Sequence, residues 1–139
     1  MNIHQLPLTP FRTPFFLANP HVQTILPKFI KLPKPNYQRH LHPDRTGTTQ
    51  VAYDFVFANT DNQPNLDKPL AVMFHGLEGS SDSHYAIAFA HQAHRLGYDA
   101  VIVHFRGCGG VDNTSELDYN AGDAAEAVHM FHLLKTQYG

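Results

Sequence analysis

Leu70-Ala71-Val72-Met73-Phe74-His75-Gly76-Leu77-Glu78-Gly79 is the stretch on which the fold turns. Its opening apolar run, without alternation, predicts a strand buried on both faces, as in a parallel sheet. A glycine-containing loop follows, and then a helix is predicted from about Ser83 to Leu96. Ala86, Phe89, Ala90, Ala93 and Leu96 keep helical spacing, and Gly97 is the stop signal. Ala100-Val101-Ile102-Val103-His104-Phe105 repeats the buried-strand pattern. Beyond the turn Arg106-Gly107-Cys108-Gly109-Gly110, Asn120 and Asp123 form a capping pair for a last helix. That helix is expected to carry Ala121, Ala124, Ala125, Val128 and Phe131 along one face. Strand, loop and helix, twice over, spell parallel βαβ units with helices covering the sheet.

Upstream of this core the chain changes character near residue 69. All ten prolines lie between Pro7 and Pro69, and eight of the nine glycines lie from Gly76 onward. Residues 1–69 carry seven Lys/Arg against four Asp/Glu, and residues 70–139 carry three against eight. Proline fixes φ and removes a backbone donor, so extended segments and turns dominate the first half. Two ordered stretches stand out there. Asn19-Pro20 opens a short helix over His21-Val22-Gln23-Thr24-Ile25-Leu26, expected to end at Pro27. Gln50 to Phe57 reads as a strand, with Tyr37 to Leu41 pairing to it as a hairpin through a turn from Pro43 to Thr48. The division is a proline-rich extension with a short helix over 1–36, then an α/β domain over 37–139.

Composition narrows the function. The 139 residues are 42% hydrophobic and 16% charged, with a net charge of −2. A dedicated nucleic-acid binder would carry a basic excess to neutralise phosphates. The lone Cys108 forms no internal disulfide and no cysteine-based zinc site. No segment reaches the ~20 apolar residues of a membrane span, and the proline-broken start does not read as a signal peptide. The expectation is a soluble cytoplasmic protein.

In parallel α/β sheets ligands bind at the carboxyl ends of the strands. Two glycine-rich loops leave such ends, His75 to Gly79 and Arg106 to Gly110. His-Gly directly after a buried strand turns the backbone sharply, and the following N–H groups can stabilise an oxyanion; a plain strand-to-helix turn is the alternative. Ser81 is the one local candidate nucleophile, with His84 as its base. Gly79-Ser80-Ser81-Asp82-Ser83 lacks the last glycine of G-x-S-x-G, however, and helix capping explains these serines better. His91 with His94 and His129 with His132 each offer two helical ligands, without a third at a diagnostic spacing, so no metal is expected. His75 and His104 read as structural residues, and Cys108 as a small packing residue of its turn. Gly107 to Asp112 has Asp where a dinucleotide loop needs its last glycine. Lys28, Lys31 and Lys34, interleaved with apolar residues, read as a solvated loop with the option of an anionic surface.

Three segments taken together resemble a known family. They are Asn19-Pro20-His21-Val22-Gln23-Thr24-Ile25-Leu26-Pro27, His75-Gly76-Leu77-Glu78-Gly79-Ser80-Ser81 and His104-Phe105-Arg106-Gly107-Cys108. In this order they resemble the AB hydrolase 4 family of the α/β-hydrolase superfamily, the YheT-like esterases. The resemblance covers nearly the whole chain and less than half of the family's fold; Gly109 departs from it where the family commonly has Ser.

The resemblance implies an incomplete α/β-hydrolase fold, an N-terminal β-hairpin followed by parallel βαβα. It makes His75, Gly76 and Leu77 the oxyanion loop, and Arg106, Gly107 and Cys108 a structural turn. It also implies serine-nucleophile hydrolysis of carboxylic esters, lipid-like acyl esters included, without metal or organic cofactor. The family's nucleophile sits in a G-x-S-x-G turn after a fifth strand, with acid and histidine later still, and the chain ends before it. No catalytic residue is therefore assigned, and the 139-residue chain alone is expected to be inactive. The alternatives are a non-catalytic partner-binding module and a truncated gene product. In the family's strand order the fifth strand lies beside the third, so residues 70–74 are expected to be an open edge. That edge would invite self-association or a completing polypeptide.

Overall fold

The computed structural model describes residues 12–59, 61–77, 79–120 and 122–138. It divides into two compact units, Met1–Lys31 and Leu32–Gly139. In the smaller unit a 3-10 turn, Phe15–Leu17, precedes helix α1, Pro20–Phe29. Asn19 caps α1, its Oδ1 accepting the His21 N–H at 2.9 Å, with Pro20 in the first turn, where its missing donor costs nothing. The helix does not stop at Pro27 as the sequence predicts; it runs two residues further, to Phe29. Pro27 forfeits only the bond to the Gln23 carbonyl, and that bond belongs to the last turns of an exposed helix, where water can replace it.

The larger unit is built on a four-stranded sheet in the order β1-β2-β4-β3, formed by β1 (Gln38–Pro43), β2 (Gln50–Val56), β3 (Ala71–Phe74) and β4 (Ala100–Val103). β1 and β2 form the expected antiparallel hairpin, with Gln38 opposite Phe55 and Pro43 opposite Gln50. β2 runs antiparallel to β4, and β3 parallel to β4 with Phe74 opposite Val103. Helix α2 (His84–Arg95) makes the β3-to-β4 crossover, and α3 (Ala124–Tyr138) follows β4.

The period-two geometry of β2 sorts the interior into two cores. Val51, Tyr53 and Phe55 point to one face, where Val101, Val103, Phe105 and the α3 residues Met130 and Leu134 meet them. Val56 and Ile102 point to the other face, against Ala86 and Ala90 of α2. The aromatic face lies under α3; the opposite face is lined by small side chains that let α2 come close. Asp54 shares that second face with Val56 and is almost fully buried.

Three expectations need correction. The predicted stripe of α3 points outward: Ala124, Ala125, Val128 and Phe131 are exposed, Val128 at 54% and Phe131 at 51%, and Ala121 lies outside the described residues. The buried positions are Glu126, Met130 and Leu134, one helical turn apart. A glutamate can hold that place because its carboxylate is paired with Arg106. β3 is half-buried throughout rather than buried on both faces, since it is the end strand among the described residues. Leu96 is exposed at 57%: α2 ends at Arg95, and Leu96 lies outside it, before the left-handed Gly97 at φ +72°.

Candidate functional site

Because β3 and β4 are parallel neighbours, the loops leaving their carboxyl ends are adjacent. His75, the first residue after β3, is buried. Its Nε2 accepts the Phe105 N–H at 3.3 Å. An amide can only donate, so that nitrogen carries the lone pair and Nδ1 carries the proton. Nδ1–H then donates to the Gly76 carbonyl at 2.8 Å. The same carbonyl accepts the Gly79 N–H at 2.9 Å, and the Gly76 N–H donates to the Tyr85 hydroxyl at 3.2 Å. Gly79 must be glycine, since a Cβ there would meet the Tyr85 hydroxyl and lie 2.9 Å from His75 Cβ. In a planar trans peptide the C=O and N–H point opposite ways. Pinning Gly76 O therefore turns the Leu77 N–H away from its own loop, and no acceptor among the described residues takes it.

Beside this loop lies an open cleft of about 790 Å³. Its walls include Tyr37, Arg39, residues 79–82 and residues 107–110, with Asp54 at the base. Beneath it Ser81, Asp54 and His104 are all buried, and Ser81 bonds to both of the others. Ser81 Oγ donates to Asp54 Oδ2 at 2.5 Å, and the Ser81 backbone N–H donates to His104 Nε2 at 3.1 Å. His104 Nδ1–H donates to the Ala52 carbonyl at 3.1 Å, by the same tautomer argument. Arg39 faces Asp54 across the hairpin and grips both its oxygens at 2.7 Å, while its Nη1 donates to the Gly109 carbonyl at 2.7 Å. The Tyr37 hydroxyl donates to the Ser81 carbonyl at 3.0 Å.

Burial would raise the Asp54 carboxyl, but bonds from Arg39 and Ser81 and the charge of Arg39 hold it below its usual range. Burial depresses His104, with Asp54 and the Ala52 carbonyl opposing. So the imidazole is neutral and both its nitrogens are occupied. A Ser, a His and an Asp are together, yet the serine's proton is bonded to the carboxylate and the imidazole lone pair to an amide. That wiring braces the two loops and delivers no nucleophile. His84 is exposed at the start of α2, and no hydrogen bond joins it to Ser81.

Arg106 is buried behind the second loop. Nε donates to Asp44 at 2.7 Å, Nη2 to Glu126, and Nη1 to Asp123 at 3.4 Å. The residue thus ties the hairpin turn to the start of α3. Burial opposes ionisation of Asp44, but Arg106, Thr46 and the backbone of Thr48 and Thr49 hold its carboxyl down to about 2. Gly107 and Gly109 sit at φ +68° and +67°, and a Cβ on Gly109 would press on the His104 ring, 2.8 Å from Nε2. Cys108 lines the cleft half-buried, its thiol pushed up by burial and so poor in thiolate.

His91 Nε2 donates to the Pro33 carbonyl and His129 Nε2 to the Pro43 carbonyl, at 2.7 and 3.3 Å. Among the described residues no cluster of three or more His, Cys, Asp or Glu is placed to hold a metal. The sequence reading passed over Asp54 and Asp44, and it takes Glu126, with Asp118 and Asp123, to cap and solvate the last helix; Glu126 is instead buried against Arg106. The Asp123-to-Glu126 spacing, that of a capping box, was an available signal, and the Glu126 N–H does donate to Asp123 Oδ1 at 3.0 Å.

No family model matches the chain. It is 35% identical over 127 residues to the protein named "Putative esterase YheT" of Escherichia coli (strain K12), covering 88% of this chain and 35% of that one. It is 30% identical over 116 residues to an "Abhydrolase domain-containing protein" of Dictyostelium discoideum, covering 80% of this chain and 28% of that one. The chain thus spans about a third of the length of the curated relatives it matches. An alpha-beta serine hydrolase homologue from Coxiella burnetii superposes with a TM-score of 0.55 at 14% identity, over 78% of this chain and 49% of that one. The "Putative hydrolase" from Agrobacterium vitis S4 gives 0.52 at 13%, over 72% and 36%.

Proposed function

We propose that this chain, which matches the N-terminal portion of the AB hydrolase family's α/β-hydrolase fold, serves a serine hydrolase of carboxylic esters, lipid-like acyl esters among them. His75, Gly76 and Leu77 form the oxyanion loop, and the Leu77 N–H is one donor to the charge that develops on the ester carbonyl. The observation that carries this reading is the double pinning of Gly76 O by His75 Nδ1–H and Gly79 N–H, which leaves the Leu77 N–H without an acceptor among the described residues. The covalent step requires a serine activated by a base, which residues 1–139 do not supply, so the 139-residue chain alone does not turn over. The chemistry calls on no metal or organic cofactor, and we place it in the cytoplasm.

Among the described residues β3 presents an unpaired edge, with the half-exposed Phe131 of α3 packed 5.3 Å from the ring of Phe74. Such an edge takes a further strand, either from a completing polypeptide or from a second copy; this also supports the second reading, a partner-binding module. A stable, monodisperse monomer in light scattering would count against strand addition.

The catalytic reading is tested by joining residues 1–139 to the rest of the Escherichia coli relative. The joined protein is expected to hydrolyse p-nitrophenyl esters. Leu77→Pro, which deletes the N–H, should lower kcat about 10²–10³-fold with little change in KM. Equal activity in a folded Leu77→Pro protein would overturn the assignment.

A further inference from the structure

We propose that residues 12–31 dock this protein onto an anionic lipid surface, an inference that does not rest on the ester reading. The first 43 residues contain no Asp or Glu, and the unit Met1–Lys31 carries Arg12, Lys28 and Lys31. Within α1, Val22, Ile25, Leu26 and Phe29 recur at i, i+3, i+4 and i+7, one face of the helix, while His21 and Thr24 lie on the other. That apolar face is open: Ile25 is 51% and Phe29 75% exposed, continued by Phe15 at 91% and Ile30 at 56%. The 3-10 turn is stapled to the helix, Gln23 Nε2 donating to the Leu17 carbonyl at 2.5 Å. That bond ties the turn carrying Phe15 to α1.

A helix of ten residues is about 15 Å long, half of a ~30 Å bilayer core. No helix among the described residues is long and apolar enough to cross a membrane. The segment can lie on a surface, apolar side chains at the acyl boundary and cations among the headgroups. Nucleic acid would use the cations and leave the phenylalanines in water. An anionic bilayer uses both. Because an isolated ten-residue helix is marginal in water, the surface would also add helix.

The test is co-sedimentation of the whole chain with phosphatidylcholine vesicles, with and without phosphatidylglycerol. Binding is expected to the anionic vesicles, weakening as salt is raised. Replacing Arg12 or Lys31 by Gln should weaken it about fivefold each. The double variant Ile25→Asp/Phe29→Asp should lose at least about tenfold, with the thermal melt of the chain unchanged. No binding to anionic vesicles would overturn the proposal, as would binding that ignores the double variant. Self-association lost in that variant, without vesicle binding, would assign the face to a second copy and overturn it equally.

Discussion

Ser81 hands its hydroxyl proton to Asp54 Oδ2 at 2.5 Å, while His104, 3.1 Å from the Ser81 backbone nitrogen, spends its lone pair on the amide. A nucleophilic serine needs that lone pair for its own hydroxyl. Asp54, gripped by Arg39 and held ionised, is instead the hub on which strand β2, the loop before α2 and the loop after β4 converge.

Ser81→Ala removes one donor from a buried carboxylate and should therefore act on stability. The expected loss is about 1–3 kcal/mol in urea unfolding. An unchanged midpoint would show that the Asp54 bond contributes nothing.

Arg106→Met leaves Asp44 and Glu126 buried without their shared cation. Breaking such a pair from one side costs about 3–5 kcal/mol, read as a shift in the guanidinium midpoint. Asp123→Asn keeps an Oδ1 for the Glu126 N–H and weakens only the longest of the three Arg106 contacts, 3.4 Å, and the 3.8 Å approach of Arg45, so it should cost well under half of that. Equal effects would contradict the hub role of Arg106.

Acid should destabilise the protein in two stages. Asp44 is held at about 2 against an ordinary 3.8, so its contribution is full above pH 3.8 and is lost as pH falls toward 2. By linkage that contribution is about 2 kcal/mol. Asp54 is depressed and has the same sign. His104 is depressed from 6.5, so the native state resists a proton that the unfolded chain accepts, and stability begins to fall as pH drops below 6.5. Melting temperatures between pH 8 and 2 should show both declines, and an NMR titration should place His104 below the ordinary 6.5. A His104 titrating at or above 6.5 would contradict the buried neutral ring.

Gly109 and Gly110 give an internal control, since both have positive φ but only Gly109 is crowded by His104. Gly110→Ala should cost about 1–2 kcal/mol for the left-handed backbone alone. Gly109→Ala should cost about 1–3 kcal/mol more for overpacking. Equal costs in thermal unfolding would mean that the His104 ring yields freely.

Local pattern carried much of the fold. The apolar runs at 71–74 and 100–103, the Ser83 and Gly97 boundaries of α2 and the Asn19 cap are all readable from neighbours in sequence. The α3 face was not, because Glu126 is buried only by virtue of Arg106, which in turn depends on Asp44, 62 positions earlier. Nor was the Asp54–Ser81–His104 cluster: its members lie 27 and 23 positions apart and meet only through strand register. The turn after β3 was legible because strand end and glycine lie within three residues, Phe74 to Gly76.

We propose that residues 1–139 supply an oxyanion arm and a braced scaffold, but no nucleophile. Initial rates of p-nitrophenyl butyrate hydrolysis by the purified 139-residue chain, with fluorophosphonate labelling of the same sample, test it most directly. The expected result is no hydrolysis above the buffer blank and no labelled serine. Turnover that disappears in Ser81→Ala, with Ser81 carrying the label, would contradict it.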